Sequence, residues 1–280
     1  MKNYLLIFLL INCLGLNAQV LSPQQSPRAK VTQMVGLTKV EIDYSRPATR
    51  GRKILGNLVR FNEIWRTGAN KNTIVSFSDP VQIDGNTLPA GQYSLYTLPR
   101  ENKWKVYFYK STNNWGLPNP WDESKVALSL ITNPDFFDYI TENFTITISD
   151  INSDAANLNL IWENTFISIP FEVPTKVKTM ESINKTMAGN PKPNDYYNAA
   201  LYFLQEKIDL NQAKNWMETA IAKRDSPAFW MYYRHALILL ELNDNNGAVK
   251  SAKKSLILAE KVQNKDYVIL NEELIEKFSK

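Results

Sequence analysis

The hydrophobic period of this chain changes once, near residue 174, and this change constrains its fold more than any other feature. Before it, apolar residues recur at every second position, as in 38–44 (TKVEIDY), 104–109 (WKVYFY) and 144–148 (FTITI). Such alternation is typical of strands with one buried face, whereas the apolar residues after it recur at helical spacing. The sequence therefore predicts a β domain followed by an α-helical domain.

We expect residues 22–174 to form an antiparallel β-sandwich or jelly-roll-like domain, because short strands follow one another without a regular helix between them. Asp84 and Gly85 predict a tight hairpin turn. The segments 158–162 and 166–169 are both strand-like and flank three polar residues, so they predict a second hairpin.

The second half of the chain predicts a linker at residues 175–193 and a tetratricopeptide-like helical domain at 194–280, with Asn194 or Asp195 capping its first helix. Small residues recur 35 or 36 positions apart: Ala200 and Ala236, Ala213 and Ala248, Ala220 and Ser255. The tetratricopeptide period is about 34 residues, and small side chains suit closely packed helices. A general helical bundle with coincidental spacing is the alternative.

Residues 1–18 have the features of a secretory signal peptide. A short basic start precedes an apolar run that is too short to span a bilayer, and Ala18 provides a small residue for cleavage. A lipoprotein anchor at Cys13 is disfavoured because Asn12 occupies the position that requires a small residue. We therefore expect an exported protein, periplasmic or extracellular, without a transmembrane segment.

Composition excludes several classes of function. The net charge of +4 on 280 residues is too small for an electrostatic nucleic-acid surface. The single Cys excludes a disulfide framework, and the single His, His235, excludes multi-His metal sites and disfavours a Ser-His-Asp triad. We expect no metal and no cofactor. The composition favours a binding function, and an enzymatic function stays open as the alternative.

The most unusual local sequence is a group of arginines between strand-like segments, at 43–47 (DYSRP), 50–52 (RGR) and 65–70 (WRTGAN). Arginine forks bind carboxylate, phosphate or sugar hydroxyl groups with fixed geometry. The candidate ligand-binding residues in these segments are Arg46, Arg52, Arg66 and Asn70. In the alternative, structural interpretation the arginines pair with Asp43 and Glu63 and tie loops to the sheet.

A polar loop at 113–121 carries two tryptophans, Trp115 and Trp121. Exposed rings in such a loop would stack on sugars, and Trp115 joins the candidate site on this basis. Alternatively, both rings fold back over a sheet edge, because burying a tryptophan removes a large apolar area from water.

The segments 43–47 (DYSRP), 51–52 (GR), 65–70 (WRTGAN) and 90–95 (AGQYSL) resemble the domain of unknown function 2911 family. The resemblance covers roughly residues 22–173. It implies an exported bacterial protein of a type common in the Bacteroidetes, sometimes with tetratricopeptide-like helices at its C-terminus. The family has no established activity, so the resemblance implies no catalytic residues.

Two functions of different classes follow from these patterns. The first is an exported, non-catalytic binding or scaffold protein of the bacterial envelope, whose helical repeats contact a protein or peptide partner. The alternative is a β-sandwich that binds a glycan or small anionic ligand through the arginine cluster, or an unrecognised hydrolase. Exposure of the arginines distinguishes them, because a ligand site requires guanidinium groups that face an open pocket.

Overall fold

The structure is a computed structural model that describes residues 21–279. The predicted signal peptide, with Cys13 and the cleavage position at Ala18, lies outside these residues. The chain divides into two compact units, Met1–Pro174 and Thr175–Lys280, whose described parts are called the β unit and the helical unit. In the part of the chain that the structure describes, no helix has the length and apolar character needed to cross a membrane.

The β unit contains ten strands. They are β1 (Arg28–Val35), β2 (Thr38–Ser45), β3 (Ile74–Phe77), β4 (Val81–Ile83), β5 (Asn86–Leu88), β6 (Gly91–Leu98), β7 (Trp104–Tyr109), β8 (Val126–Thr132), β9 (Asp135–Ser149) and β10 (Ala155–Glu172), with a short 3-10 helix at Glu123–Lys125 before β8. One sheet has the order β1-β2-β3-β6-β7-β8, the other β5-β4-β10-β9, and every pairing is antiparallel.

The core of the β unit lies between the two sheets. Alternate residues of β2 are buried, including Val40 and Ile42, as the two-residue period predicts. In β7 both faces are buried, because Tyr107 and Tyr109 pack in a separate cluster with Tyr96. Phe77 of the larger sheet packs edge-on against Phe171 of the smaller one, with ring centroids 5.6 Å apart. The Tyr44 hydroxyl accepts a hydrogen bond from the backbone N–H of residue 146 on β9 at 3.0 Å.

The predicted hairpin at Asp84 and Gly85 joins β4 to β5, but the predicted hairpin at 158–169 is wrong. This segment is one long strand, β10, which stays paired with β9 on both sides of Glu163. Glu163 has a φ of 55° and marks a bulge, where the register shifts without reversing the chain. Polar residues inside a strand therefore gave a false turn signal.

The helical unit contains six helices: α1 (Thr175–Met187), α2 (Pro193–Gln205), α3 (Leu210–Ala222), α4 (Phe229–Glu241), α5 (Asn245–Lys261) and α6 (Lys265–Phe278). The predicted linker at 175–193 is wrong, because α1 fills most of it. Met180, Ile183 and Met187 follow one another at helical spacing and pack into the core around Phe203. The predicted order of a β domain and then an α-helical domain is confirmed.

The helices begin with local caps. The Asp209 carboxylate accepts the backbone N–H of residue 212 at 2.9 Å, and the Asp244 carboxylate accepts that of Gly247 at 2.8 Å. The predicted cap of α2 is displaced: Pro193 is its first residue, and Asp195 accepts the backbone N–H of Lys192 at 2.8 Å.

Candidate functional site

Three of the predicted site residues, Arg52, Arg66 and Asn70, line one open cavity of the β unit, with a volume of about 420 Å³. We call it the arginine cavity. A third guanidinium group, that of Arg50, also lines it. The other lining residues are neutral: Gln25, Ser26, Pro47, Ala48, Leu58, Val59, Trp65, Gly68, Ala69 and Trp162. The lining therefore contains three cations and no carboxylate.

The loop that carries Arg66 and Asn70 has an unusual backbone. Thr67, Gly68 and Asn70 have φ angles of 53°, 142° and 58°, a region that residues with side chains rarely adopt. A Cβ atom on Gly68 would lie 2.9 Å from Thr73 Oγ1 and 3.3 Å from the Ser45 carbonyl oxygen. Only glycine fits at this position without displacing its neighbours.

Hydrogen bonds from buried groups hold this loop in place. The Thr73 hydroxyl donates to the Thr67 carbonyl at 2.5 Å, and the Thr67 and Thr97 hydroxyl groups are 3.1 Å apart. Trp65 and Thr97 exchange two backbone hydrogen bonds, of 2.7 and 3.0 Å, which join the loop to β6. These contacts fix the direction in which Arg66 leaves the backbone.

The cavity arginines are bound by neutral oxygen atoms. Arg66 donates to the Asn70 carbonyl at 3.2 Å, and Arg52 donates to the carbonyls of Thr49 and Ala48 at 2.8 and 2.7 Å. Arg50 donates to the side-chain and backbone oxygens of Gln25 at 2.7 and 3.0 Å. Within residues 21–279, none of these three guanidinium groups has a carboxylate within 4 Å.

The predicted ion pairs of Arg46, Arg52 and Arg66 with Asp43 and Glu63 are wrong. Asp43 pairs with Arg28 at 2.7 Å, and Glu63 pairs with Arg60 at 3.5 Å. Both acceptors are thus engaged by other arginines. Neither Asp43 nor Glu63 therefore neutralises the arginines of the cavity.

Arg46 lies outside the cavity lining. Its Nε donates to the Phe144 carbonyl at 3.1 Å, and its Nη2 donates to Thr145 Oγ1 at 2.8 Å. These bonds tie the end of β2 to β9 of the opposite sheet. Arg46 was predicted as a ligand-binding residue, and the structure gives it contacts that connect the two sheets.

Trp115 and Trp121 behave differently from each other. The Trp121 ring packs on Tyr96, Tyr107 and Tyr109, with ring centroids 4.7 to 5.4 Å apart. Trp115 is 67% exposed, and its backbone forms a bridge with Lys71. The Trp115 side chain does not line the arginine cavity, although its neighbour Gly116 lies against the Arg66 guanidinium.

Two tryptophans that the sequence did not assign to the site line the arginine cavity. The rings of Trp65 and Trp162 stack with a centroid distance of 5.6 Å, and Phe144 packs edge-on against both. Trp162 Nε1 donates to the Glu142 carbonyl at 3.2 Å. The wall of the cavity therefore combines cationic groups with two tryptophans of the core, of which Trp162 is buried and Trp65 is partly exposed.

Glu142 is an acidic residue whose charge interacts with those of Arg50 and Arg52. Its pKa is lowered, first by the hydrogen bond from the Thr49 hydroxyl and then by the Arg50 backbone N–H, which donates at 2.9 Å. The charges of Arg50 and Arg52 lower it further. Glu142 is thus ionised at neutral pH and anchors the 49–50 turn, although it does not line the cavity.

The buried Asn72 side chain holds in place a loop that contacts Arg66. Gly116 lies against the Arg66 guanidinium, since a Cβ atom there would be 3.4 Å from an Arg66 nitrogen. The Asn72 amide, oriented so that its nitrogen faces carbonyl oxygens, donates to Gly116 at 3.2 Å and to Asn114 at 2.6 Å. Ser94 Oγ donates to the Ser111 carbonyl at 2.7 Å. Together these bonds hold the 111–116 loop against Arg66.

The described residues contain no group of three or more His, Cys, Asp or Glu side chains arranged to hold a metal ion. In the helical unit, His235 Nδ1 lies 3.1 Å from Ser251 Oγ, which itself donates to the Tyr232 carbonyl at 2.9 Å. The Nδ1 atom is therefore the donor to Ser251. Burial lowers the pKa of His235, an effect that Glu218 partly opposes.

Sequence reasoning missed Trp162 because it lies almost a hundred residues from Arg66, and strand register alone brings the two together. Arg50 belongs to the RGR segment, and this segment was the signal that the sequence offered for it.

Comparison with known proteins supplies one match. No curated protein and no solved structure matches the chain. The family described as "protein of unknown function (DUF2911)" matches residues 26–171. This range includes the arginine cavity except Gln25, with the left-handed loop and both tryptophans of the lining. The chain therefore belongs to the DUF2911 family.

Proposed function

We propose that the β unit is a binding domain for a small anionic ligand, held in the arginine cavity. The observation that carries this proposal is the convergence of Arg50, Arg52 and Arg66 on one open cavity, where no carboxylate of the described residues lies within 4 Å of their guanidinium groups. These three face a space that a ligand can enter.

The chemistry of the lining favours an acidic sugar or a compound of similar size. Guanidinium groups bind carboxylate, sulfate and phosphate in fixed geometry, and Asn70 and Gln25 add neutral polar groups. Trp65 is partly exposed in the lining and offers an apolar surface to a sugar ring. The volume of about 420 Å³ is in the range of small-molecule sites.

The test is calorimetric titration of the exported chain with glucuronate, and with glucose as the uncharged control. We expect glucuronate to bind and Arg66→Gln to weaken it about tenfold or more, because a hydrogen bond to a charged group is lost. Arg46→Gln is the matched control, since Arg46 lies outside the lining, and it should leave affinity within about twofold. Equal affinities of wild type and Arg66→Gln would contradict the proposal.

A second candidate function concerns the helical unit, and we propose that it is a short tetratricopeptide-like array that contacts a protein or peptide. The recurring small residues Ala200, Ala236, Ala213 and Ala248 are all fully buried or nearly so. The capping residues Asp209 and Asp244 recur 35 positions apart. Both recurrences support a repeated helix-turn-helix unit. Recovery of identical partners from envelope extracts with and without residues 176–280 would contradict this proposal.

We also propose that the protein is exported to the periplasm or beyond after cleavage at Ala18, as the basic start and short apolar run support. Mass spectrometry of the protein from fractionated bacterial cells tests this. We expect a mature chain that begins at Gln19 in the periplasmic or external fraction. An intact N-terminus in the cytosolic fraction would contradict it.

A further inference from the structure

A second and larger cleft opens in the β unit, with a volume of about 790 Å³. It shares only Arg52 with the arginine cavity. Three kinds of side chain in its lining carry the argument below: exposed apolar side chains, exposed cations and buried polar groups. We call it the Phe136 cleft.

The apolar mouth results from an irregular stretch of β9. Thr141 pairs with Glu163 and Phe136 pairs with Thr165, so β9 advances five positions while β10 advances two. The extra residues form a wide bulge, in which Phe137 packs on Phe166 with ring centroids 5.5 Å apart.

This bulge leaves Phe136 and Ile140 at the cleft with 60% and 62% of their surface exposed. Large apolar side chains grouped at the edge of a concave surface mark a binding site more often than they occur by chance. Leu55 and Phe61 continue the apolar surface into the cleft.

The rim of the Phe136 cleft is cationic. Arg52, Lys53 and Arg100 line it, and among residues 21–279 none of them has a carboxylate within 4 Å. Two carboxylates also line the cleft. That of Glu163 accepts the backbone N–H groups of residues 54 and 55, at 3.2 and 3.4 Å. The other, that of Glu101, is exposed.

Two buried side chains of the cleft have unused hydrogen-bonding capacity. Trp104 and Thr165 are each 4% exposed, and both line the cleft. Trp104 Nε1 and Thr165 Oγ1 have no hydrogen-bond partner among the described residues. Buried polar atoms are rarely left without a partner, so a pair of them in the wall of a cleft points to a polar ligand atom.

We propose that the Phe136 cleft binds an amphipathic anion, an alkyl-chain carboxylate, as a site separate from the arginine cavity. The carboxylate lies among Arg52, Lys53 and Arg100, in the cleft whose wall contains the unpartnered polar groups of Trp104 and Thr165. The alkyl chain leaves along Phe136 and Ile140 to the mouth. The exposed side chains of Phe136 and Ile140, together with Leu55, form an apolar surface on which methylene groups can pack.

Titration calorimetry of the full chain tests this proposal with butyrate, octanoate and decanoate, all below their micelle concentrations. Each added methylene that is covered should raise affinity about threefold to fourfold. Decanol, which has the chain without the charge, should bind at least about tenfold more weakly than decanoate. Absence of decanoate binding, or equal binding of decanol, would overturn the proposal.

Variants locate the site. Phe136→Ser combined with Ile140→Ser should weaken decanoate about tenfold or more, and the chain-length dependence should flatten. Ile131→Ser is the matched control, because Ile131 is 63% exposed but lies outside the cleft. All three substitutions are at exposed positions, so circular dichroism should show an unchanged fold. Equal loss in the control and the double variant would place the binding elsewhere and overturn the proposal.

The two sites are distinguished by crossing the ligands. Arg66→Gln should leave decanoate affinity unchanged, and the double variant at Phe136 and Ile140 should leave glucuronate affinity unchanged. Failure of decanoate binding with intact glucuronate binding would refute only the Phe136 cleft. The reverse result would refute only the arginine cavity.

Discussion

The two units of this protein use their buried small and polar residues in different ways. In the helical unit, fully buried alanines such as Ala200 and Ala236 allow helices to approach one another. In the β unit, the buried Thr67 and Gly68 hold a loop in a backbone conformation that regular strands do not contain. The first arrangement serves packing, whereas the second positions Arg66.

The difference indicates which unit is the better candidate for ligand recognition. A buried alanine at a helix crossing is explained completely by the helices that it joins. A left-handed loop closed by threonine hydroxyl groups is costly to form, and such backbone conformations are frequent at binding sites. The observed loop presents Arg66 to an open cavity, so the β unit is the better candidate for ligand recognition.

The largest effect is expected from Gly68→Ala, which tests whether the left-handed loop at 67–70 has a fixed backbone conformation. The added methyl group meets Thr73 Oγ1 at 2.9 Å, and a φ of 142° is unfavourable for alanine. We expect a loss of roughly 3–5 kcal/mol in the free energy of unfolding. Gly51→Ala is the control, with a φ of 70° but no atom within 4 Å, and it should cost about 1–2 kcal/mol.

Urea denaturation measures both variants, and hydrogen exchange followed by mass spectrometry assigns the change to one unit. Faster exchange confined to peptides of the β unit is expected for Gly68→Ala. A loss no greater than that of Gly51→Ala would show that the loop adapts, and would remove the contrast between the units.

A smaller effect is expected from Ala236→Leu, which tests the packing role of small residues in the helical unit. Ala236 is fully buried, so the larger side chain forces the helices apart at a cost of about 1–3 kcal/mol. Ala222→Leu is the control, because Ala222 is exposed at the end of α3, and it should change stability by less than about 0.5 kcal/mol. Equal stabilities of the two variants in urea denaturation would refute close packing at Ala236.

The smallest effect on stability is expected when the pH is lowered from about 7.5 to about 5.5. The chain has one histidine, His235, and burial holds its pKa below the ordinary value. As the pH falls from above the unfolded pKa of about 6.5 toward the lower folded pKa, the unfolded chain binds more protons. The helical unit therefore loses stability in this range, while the β unit, which has no histidine, does not.

Hydrogen exchange at several pH values, corrected for the intrinsic exchange rate, measures this difference between the units. His235→Asn should remove the pH dependence of the helical unit. The charged groups around His235 are Glu218, Lys214 and Lys254, and the carboxylate of Glu218 reduces the effect. A gain of stability on acidification would show that Glu218, rather than burial, controls the pKa of His235.

The fold was largely predictable because hydrophobic period is a local property. The hairpin at Asp84 and Gly85 needs only its own turn residues, and the helical pattern after residue 193 needs only its own spacing. Two errors have physical causes. Polar residues at 163–165 form a bulge inside β10, and the segment 175–193 was assigned to a linker although Met180, Ile183 and Met187 give α1 an apolar face.

The site was predictable only in part, because it depends on contacts between distant strands. Arg52, Arg66 and Asn70 meet at one cavity, and all three lie in the single connection between the adjacent antiparallel strands β2 and β3. Arg46 has the same side chain but finds oxygen acceptors on β9, almost a hundred residues away. The sequence contains no signal for that register, nor for the position of Trp162.

The most direct test of the arginine cavity observes the guanidinium groups themselves. We expect the arginine Nε–H signals of Arg52 and Arg66 in NMR spectra to shift during titration with glucuronate, along saturable curves that give one common Kd. The Nε–H signal of Arg46, which is bound to the Phe144 carbonyl, should stay in place. Equal and unsaturated shifts of all three signals, or none, would contradict a ligand site in this cavity.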